Sequence, residues 1–113
     1  MHELSLCEDL LRMVQAQAEA RGCRRVRAVW LEIGALEAVE SEALRLGFEL
    51  KSRGTVAEGA RLEIRQLPGR ARCPDCGASV ALYRRHDPCP RCGSLCPEVS
   101  GGDGIRIERL EVD

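Results

Sequence analysis

At 113 residues the chain is long enough for one modest core, or for a small core with a satellite, and its 44% hydrophobic content is that of an ordinary globule. A formal net charge of −1, with only one Trp, one Tyr and one Phe for base stacking, argues against nucleic acid as the main partner. Seven cysteines and a Met1-His2-Glu3 start with neither a basic nor an apolar leader region speak against a secreted disulfide framework and point to the cytoplasm. Glu32 and Glu37 break the longest apolar stretches well short of the roughly eighteen residues a membrane span needs.

Leu4, Cys7, Leu10, Leu11, Val14 and Ala18 recur at helical spacing, with Glu8, Arg12, Gln15 and Glu19 on the other side, so the chain opens with an amphipathic helix. Ser5 followed by Glu8 fits a capping box, and Gly22 is placed to end the helix. Cys7 on the apolar face reads as a small buried hydrophobe, and Cys23 has no pairing partner nearby. From Arg24 to Ile33, Val26, Val29, Trp30, Leu31 and Ile33 predict a strand whose imperfect alternation implies burial on both faces. Gly34 interrupts it. A second helix is signalled by Ala43, Leu44, Gly47 and Phe48, with Glu40 and Glu42 at its positive end and Gly54 as a stop; Glu37, Glu40 and Glu42 are read as helix-start and solvated groups rather than metal ligands. Ala60, Leu62 and Ile64 alternate with Arg61, Glu63 and Arg65 and predict a strand with one wet face.

Pro68-Gly69 leads out to two related stretches, Cys73-Pro74-Asp75-Cys76-Gly77 and Cys89-Pro90-Arg91-Cys92-Gly93. Each is a thiol pair on a tight turn, and two such turns supply the four thiolates of a tetrahedral structural zinc; a single CxxC would fit a redox dithiol as well, and a disulfide or redox pair is the alternative. Such a site is closed, with no open position for water or substrate, so it holds structure. His86 is expected outside the sulfur shell or facing solvent, and Cys96 uncoordinated. Closing four thiolates on one Zn²⁺ moves the net charge to about −3. Arg70, Arg72, Arg84, Arg85 and Arg91 surround the knuckles, as neutralising and solvated groups or, in the sharper reading, as nucleic-acid contacts. Cys96-Pro97 and Gly101 to Gly104 form a loop, and Ile105 to Val112 a last strand, with a bulge near Glu108 or Arg109 bringing its apolar residues to one side.

The order helix, strand, helix, strand, knuckles, strand predicts an α+β fold: a small α/β lobe in which two helices cover a three-stranded sheet, with a zinc-ribbon-like module inserted before the last strand. The lobe takes residues 1–69 and 98–113 and the module residues 70–97, and the last two strands are expected to be antiparallel neighbours.

The start of the chain offers a second kind of chemistry. The ring nitrogen of a histidine at position two, its backbone nitrogen and a terminal amine can close fused chelate rings, a planar nitrogen-rich set that suits Ni(II) or Cu(II). Against this stands the ordinary reading of a terminal histidine as a disordered, unliganded residue.

End to end, the sequence resembles the HypA/HybF family of hydrogenase nickel-incorporation proteins. The resemblance rests on Met1-His2-Glu3-Leu4-Ser5, on Leu31-Glu32-Ile33-Gly34, on the segment from Leu44 through Phe48-Glu49 to Gly54-Thr55 and Gly59-Ala60, on both CPxCG knuckles and on the Gly104 strand. It implies a non-enzymatic nickel metallochaperone with a nickel lobe and a zinc lobe. It implies Ni(II) carried at the N-terminus by His2 and neighbouring backbone nitrogens, with Met1 and Glu3 at the site, and structural Zn(II) on Cys73, Cys76, Cys89 and Cys92. The implied partners are the GTPase of nickel insertion (HypB), the large subunit of a nickel-iron hydrogenase and, in some organisms, urease maturation factors; the oligomeric state, a homodimer included, stays open. Cys96 departs from the family pattern and stands close enough in sequence to compete as a ligand.

Of three functional classes the metallochaperone is favoured. A zinc-ribbon interaction module comes second. A small metal-dependent enzyme comes last, because two histidines and no nucleophile–base motif leave catalysis little to work with.

Overall fold

The computed structural model describes residues 2–95 and 97–113. Met1, Cys96 and the His2 side chain lie outside the described residues, and with them the expectations placed on Met1 and His2 as nickel ligands and on Cys96 beside the knuckles.

The elements are α1 (His2–Ala20), β1 (Val26–Gly34), a 3₁₀ turn (Ala35–Glu37), α2 (Ser41–Lys51), β2 (Arg61–Leu67), β3 (Gly69–Arg72), β4 (Ser79–Leu82), β5 (Glu98–Gly101) and β6 (Ile105–Val112). They build two helices and two three-stranded sheets, ordered β2-β1-β6 and β4-β3-β5, so the α+β class holds. Among the described residues no helix is long and apolar enough to cross a membrane.

The chain divides into two compact units. The first comprises Met1–Leu31, Val39–Arg65 and Arg106–Asp113; the second comprises Glu32–Ala38 and Gln66–Ile105. The stretch 70–97 expected to form the zinc module lies within the second unit, which extends beyond it on both sides.

In the first unit Cys7, Leu10, Val14 and Ala18 of α1 are buried together with Leu44 and Phe48 of α2, the spacing of one apolar stripe per helix. Leu4, which shares the apolar spacing in the sequence, is instead exposed. The helices run in the same direction: Glu3 reaches Glu40, Cys7 reaches Leu44, and Glu8 pairs with Lys51, so contacts advance together along both. Helix α1 ends in a Schellman motif, with Cys23 N–H donating to Ala18 C=O at 2.9 Å and Gly22 N–H to Glu19 C=O at 3.1 Å. Its start differs from expectation. Because the helix already runs from His2, Ser5 lies inside it and does not cap it. The cap that does form is on α2, where the Glu40 carboxylate accepts from Glu42 N–H at 2.8 Å and Ala43 N–H at 3.4 Å.

β1 is the central strand, which explains its burial on both faces and its broken alternation. Arg25 C=O accepts from Asp113 N–H at 3.2 Å and Gly34 N–H donates to Gly104 C=O at 2.9 Å, so β6 runs antiparallel to β1. The expected pairing of the last strand with β2 is therefore wrong: β2 and β6 flank β1 on opposite sides. Trp30 of β1 has the Arg109 guanidinium 4.1 Å and the Arg61 guanidinium 5.8 Å from its ring centroid.

In the second unit β3 pairs antiparallel with β4 through Ala71↔Val80 and Gly69↔Leu82, and with β5 through Ala71↔Val99 and Arg72↔Glu98, with an irregularity at Arg70/Ala71. Ala71, Val80 and Leu82 meet Cys73, Cys89 and Leu36, the middle residue of the 3₁₀ turn, in one buried cluster. The loop before β6 passes so close to the end of β1 that a Cβ on Gly34 would fall 2.0 Å from Gly102 O.

Candidate metal centre

The two CPxCG turns fold as copies of one another. Gly77 N–H donates to Cys73 C=O at 2.7 Å and Cys73 N–H to Ala78 C=O at 2.9 Å; Gly93 N–H donates to Cys89 C=O at 2.8 Å and Cys89 N–H to Ser94 C=O at 2.8 Å. Closing each turn requires a left-handed backbone after the second cysteine, and Gly77 (φ 73°) and Gly93 (φ 78°) supply it without a Cβ penalty. The Ser94 hydroxyl donates to the Asp75 carboxylate, joining one knuckle to the other.

The sulfurs meet crosswise, with Cys73 Sγ 3.6 Å from Cys92 Sγ and Cys76 Sγ 3.8 Å from Cys89 Sγ. All four lie within 4.8 Å of one another. A regular tetrahedron with metal–sulfur bonds of about 2.3 Å has edges of about 3.8 Å, so the donor set has the size and chemistry of a closed four-thiolate zinc site. Cys73 and Cys89 are buried in the apolar cluster, while Cys76 and Cys92 are exposed. One face of the site is thus anchored in the core and the other reaches solvent.

Proximity splits the thiols electrostatically. Burial pushes the Cys89 thiol up, but N–H groups of Arg91 and Cys92 and the neighbouring Cys73 and Cys76 thiols stabilise its thiolate and hold it down at about 7. At Cys92 the Ser94 backbone favours the thiolate, yet partial desolvation of the sulfur and the three neighbouring sulfurs outweigh it and raise the thiol to about 12. Without a cation the cluster gives up one proton readily and holds another tenaciously. A divalent ion is what allows four thiolates to coexist.

His86 lies exposed on the loop after β4, beside a depression of about 510 Å³ lined by Leu36, Ala38 and residues 84–87, and does not join the four clustered thiols. Asp87 organises this loop, its carboxylate accepting from Tyr83 N–H and Arg84 N–H at 3.1 and 3.0 Å.

At the other candidate location the backbone of His2 begins α1. Glu3, in the first turn, is described: its carboxylate accepts from Glu40 N–H at 3.2 Å. The start of α1 is thereby fastened to the start of α2, through a residue that sequence spacing treats only as a helix-start carboxylate. The signal for Glu40 was weak because Glu is an uncommon cap, and nothing local indicates that its backbone meets a residue 37 positions earlier.

A family model described as hydrogenase/urease nickel incorporation, metallochaperone, HypA matches residues 1–112. The chain is 54% identical over 113 residues to a hydrogenase maturation factor HypA of Azotobacter vinelandii, covering all of both chains. To that of Alkalilimnicola ehrlichii it is 51% identical, again over the full length of both. The solution structure of the Ni metallochaperone HypA from Helicobacter pylori superposes with a TM-score of 0.71 at 23% identity, covering 99% of this chain and 97% of that one, a likeness of fold.

Proposed function

Because this chain belongs to the HypA family of hydrogenase/urease nickel-incorporation metallochaperones, we propose that it binds Ni(II) at the start of α1 and delivers it during maturation of a nickel-iron hydrogenase. The observation that carries this reading is the match of the family model to residues 1–112, which takes in both His2 and the knuckles. We assign nickel to His2, to nitrogens of the chain start at Met1 and to the neighbourhood of Glu3. Zinc we assign to Cys73, Cys76, Cys89 and Cys92, whose sulfur spacings support it. The lobe of residues 1–69 and 98–113 would carry the cargo and residues 70–97 the resident metal.

The two sites suit different tasks. Four thiolates surround an ion completely and offer no position for water or substrate, so zinc there contributes folding energy and no hydrolysis. A chelate at a chain end is open on one side and can surrender its ion to a better-organised acceptor. In this role the protein is a carrier rather than an enzyme. Its partners are the GTPase of nickel insertion and the hydrogenase large subunit, with urease maturation factors as further recipients. The cytoplasm, whose thiol pools keep such cysteines reduced, is the compartment we assign.

Isothermal titration tests the reading. Untagged protein should bind one nickel in a His2-dependent way, with one zinc already present. His2→Ala should lose nickel without unfolding, and residues added before Met1 should weaken nickel while leaving zinc in place. Equal nickel affinity in the parent and the extended protein would overturn the chain-start site.

A further inference from the structure

The basic residues of the first unit divide sharply by what they touch. Arg12, Arg27, Arg45, Lys51 and Arg61 each hold a carboxylate. Arg109 lies on Trp30, and Arg65 and Arg106 are engaged as well. Among the described residues Arg21, Arg24, Arg25 and Arg53 have no ion pair and no side-chain hydrogen bond, and all four belong to the two segments that follow the helices, 21–25 after α1 and 52–60 after α2. Those segments come together where the first runs into β1: Val26 N–H donates to Val56 C=O at 2.9 Å, and Arg24 and Arg25 line one depression with Thr55 and Val56. Arg21 and Arg53 have a local explanation, since cations beside helix C-termini complement the macrodipole. Arg24 and Arg25 lie past the last turn and have none.

Arg24 and Arg25 instead border two depressions that share Arg25. One, of about 200 Å³, is lined by both arginines with Thr55, Val56 and Glu58. The other, of about 510 Å³, is lined by Arg25 with Arg27, Gly59, Arg61, Glu111 and Asp113. Arg27 there is already paired, 3.2 Å from Asp113. Exposed guanidinium forks with no internal carboxylate are well suited to bidentate capture of carboxylates from another molecule.

We propose that this end of the first unit is a docking surface for an acidic segment of a protein partner, held chiefly by Arg24 and Arg25. The charge pattern selects the occupant. Glu58, Glu111 and Asp113 are interspersed among the arginines and would repel the unbroken charge of a phosphate backbone, and neither depression is lined by an aromatic ring for bases to stack on. A peptide can place carboxylates opposite the arginines and neutral or basic residues opposite Glu58, Glu111 and Asp113. The surface also lies at the opposite end of α1 from His2, about 27 Å along the helix axis. A partner held there leaves the chain start uncovered, and the proposal rests on no part of the nickel assignment.

The test is fluorescence anisotropy of a fluorescein-labelled ten-residue peptide of alternating glutamate and glycine, titrated with the zinc-loaded full chain at low and physiological salt. Saturable, salt-sensitive binding is expected, weakened about tenfold or more by Arg24→Glu/Arg25→Glu and to an intermediate degree by Arg24→Gln/Arg25→Gln. Arg84→Glu/Arg85→Glu, the same charge change in the other unit, should leave binding within about twofold of the parent. Equal losses in both charge-reversed variants, no saturable binding by the parent, or tighter binding of a labelled poly-U RNA would each overturn the proposal. Nickel titration of Arg24→Glu/Arg25→Glu should match the parent, which separates failure here from failure of the nickel site.

Discussion

Cys7 of α1 occupies the space where residue 47 of α2 would carry a side chain: a Cβ built on Gly47 falls 2.6 Å from Cys7 Sγ, and the same thiol donates to Leu44 C=O at 3.4 Å. Gly at a helix interior costs about 1 kcal/mol relative to Ala, so Gly47→Ala would stabilise an isolated α2. In the folded unit the added methyl drives into a buried sulfur, and overpacking of this kind costs about 1–3 kcal/mol. The steric cost should win, lowering the melting temperature by several degrees in thermal unfolding followed by Trp30 fluorescence. Cys7→Ala/Gly47→Ala should recover much of the loss, because one methyl fills the space the sulfur leaves. If the double variant is as unstable as the sum of the singles, the contact is not what decides.

The same packing shields the thiol. Burial raises the Cys7 pKa above its ordinary value and the carboxylates of Glu3 and Glu8 add to the rise, against an opposing effect of Lys51. Cys7 should therefore stay unlabelled by a thiol reagent at pH 8 in native protein and react once denaturant is added. Fast labelling of the native chain, located by peptide mass, would contradict it.

Glu3 offers a way to separate holding from binding at the chain start. Its carboxylate accepts the backbone N–H of Glu40, the residue that caps α2. A glutamine can accept the same hydrogen bond through its amide oxygen, whereas alanine cannot. If Glu3 acts by positioning, Glu3→Gln should keep nickel affinity within about threefold while Glu3→Ala weakens it about tenfold, a difference of roughly 1.4 kcal/mol in one hydrogen bond to a charged group. Equal and large losses in both would make the carboxylate itself a ligand.

What the sequence made legible was whatever its local spacing encodes. The stripe of Cys7, Leu10, Val14 and Ala18, the alternation around Leu62 and the two CPxCG turns each declare themselves within a few residues. The four sulfurs come together because each turn is self-contained, closing on its own glycine. Strands β3, β4 and β5 were not legible: each is four residues long, and β3 buries only Gly69 and Ala71, too small to register as an apolar run. The order β2-β1-β6 was hidden as well, since alternation reveals which face of a strand is wet but not which neighbour it takes. Leu36 joins the cysteine cluster through contacts 35 and more residues away, and Ser5 looked like a cap only because the pattern cannot tell that the helix has already begun.

The glycine at the end of β1 is a harder constraint than Gly47. A Cβ on Gly34 would lie 2.0 Å from Gly102 O and 2.7 Å from the Cα of Asp103, so it meets backbone, which cannot rotate aside as a thiol can. Gly34→Ala should cost about 3 kcal/mol, at the upper end of overpacking, and more than Gly47→Ala. Hydrogen exchange should find the loss at Gly34 N–H and along Arg70–Arg72, the strand that pairs with β5 just ahead of the 102–104 loop. A smaller effect than that of Gly47→Ala would mean the loop gives way easily.

Zinc retention should depend on pH in a way set by the thiol cluster. Zinc binds the thiolates, so every proton still on a sulfur must leave before the ion can close the site. Cys89, held down at about 7, is already a thiolate above that pH and costs nothing there; below it, one more proton competes. Cys92, raised to about 12, is protonated across the whole neutral range and competes at every pH. Apparent zinc affinity should therefore fall as pH drops, and fall more steeply below about 7 than above it, by about one further power of ten per unit. Competition against a chromogenic chelator between pH 6 and 8.5 measures both slopes. Cys89→Ser should destroy the break along with most of the affinity, since a serine hydroxyl is a poor ligand in the buried half of the site. Cys76→Ser, at the exposed half, should weaken zinc but leave the second unit folded at millimolar zinc, because water can reach the position it leaves. A single slope throughout, or equal unfolding by the two substitutions, would remove the distinction between the anchored and solvent-facing halves of the site.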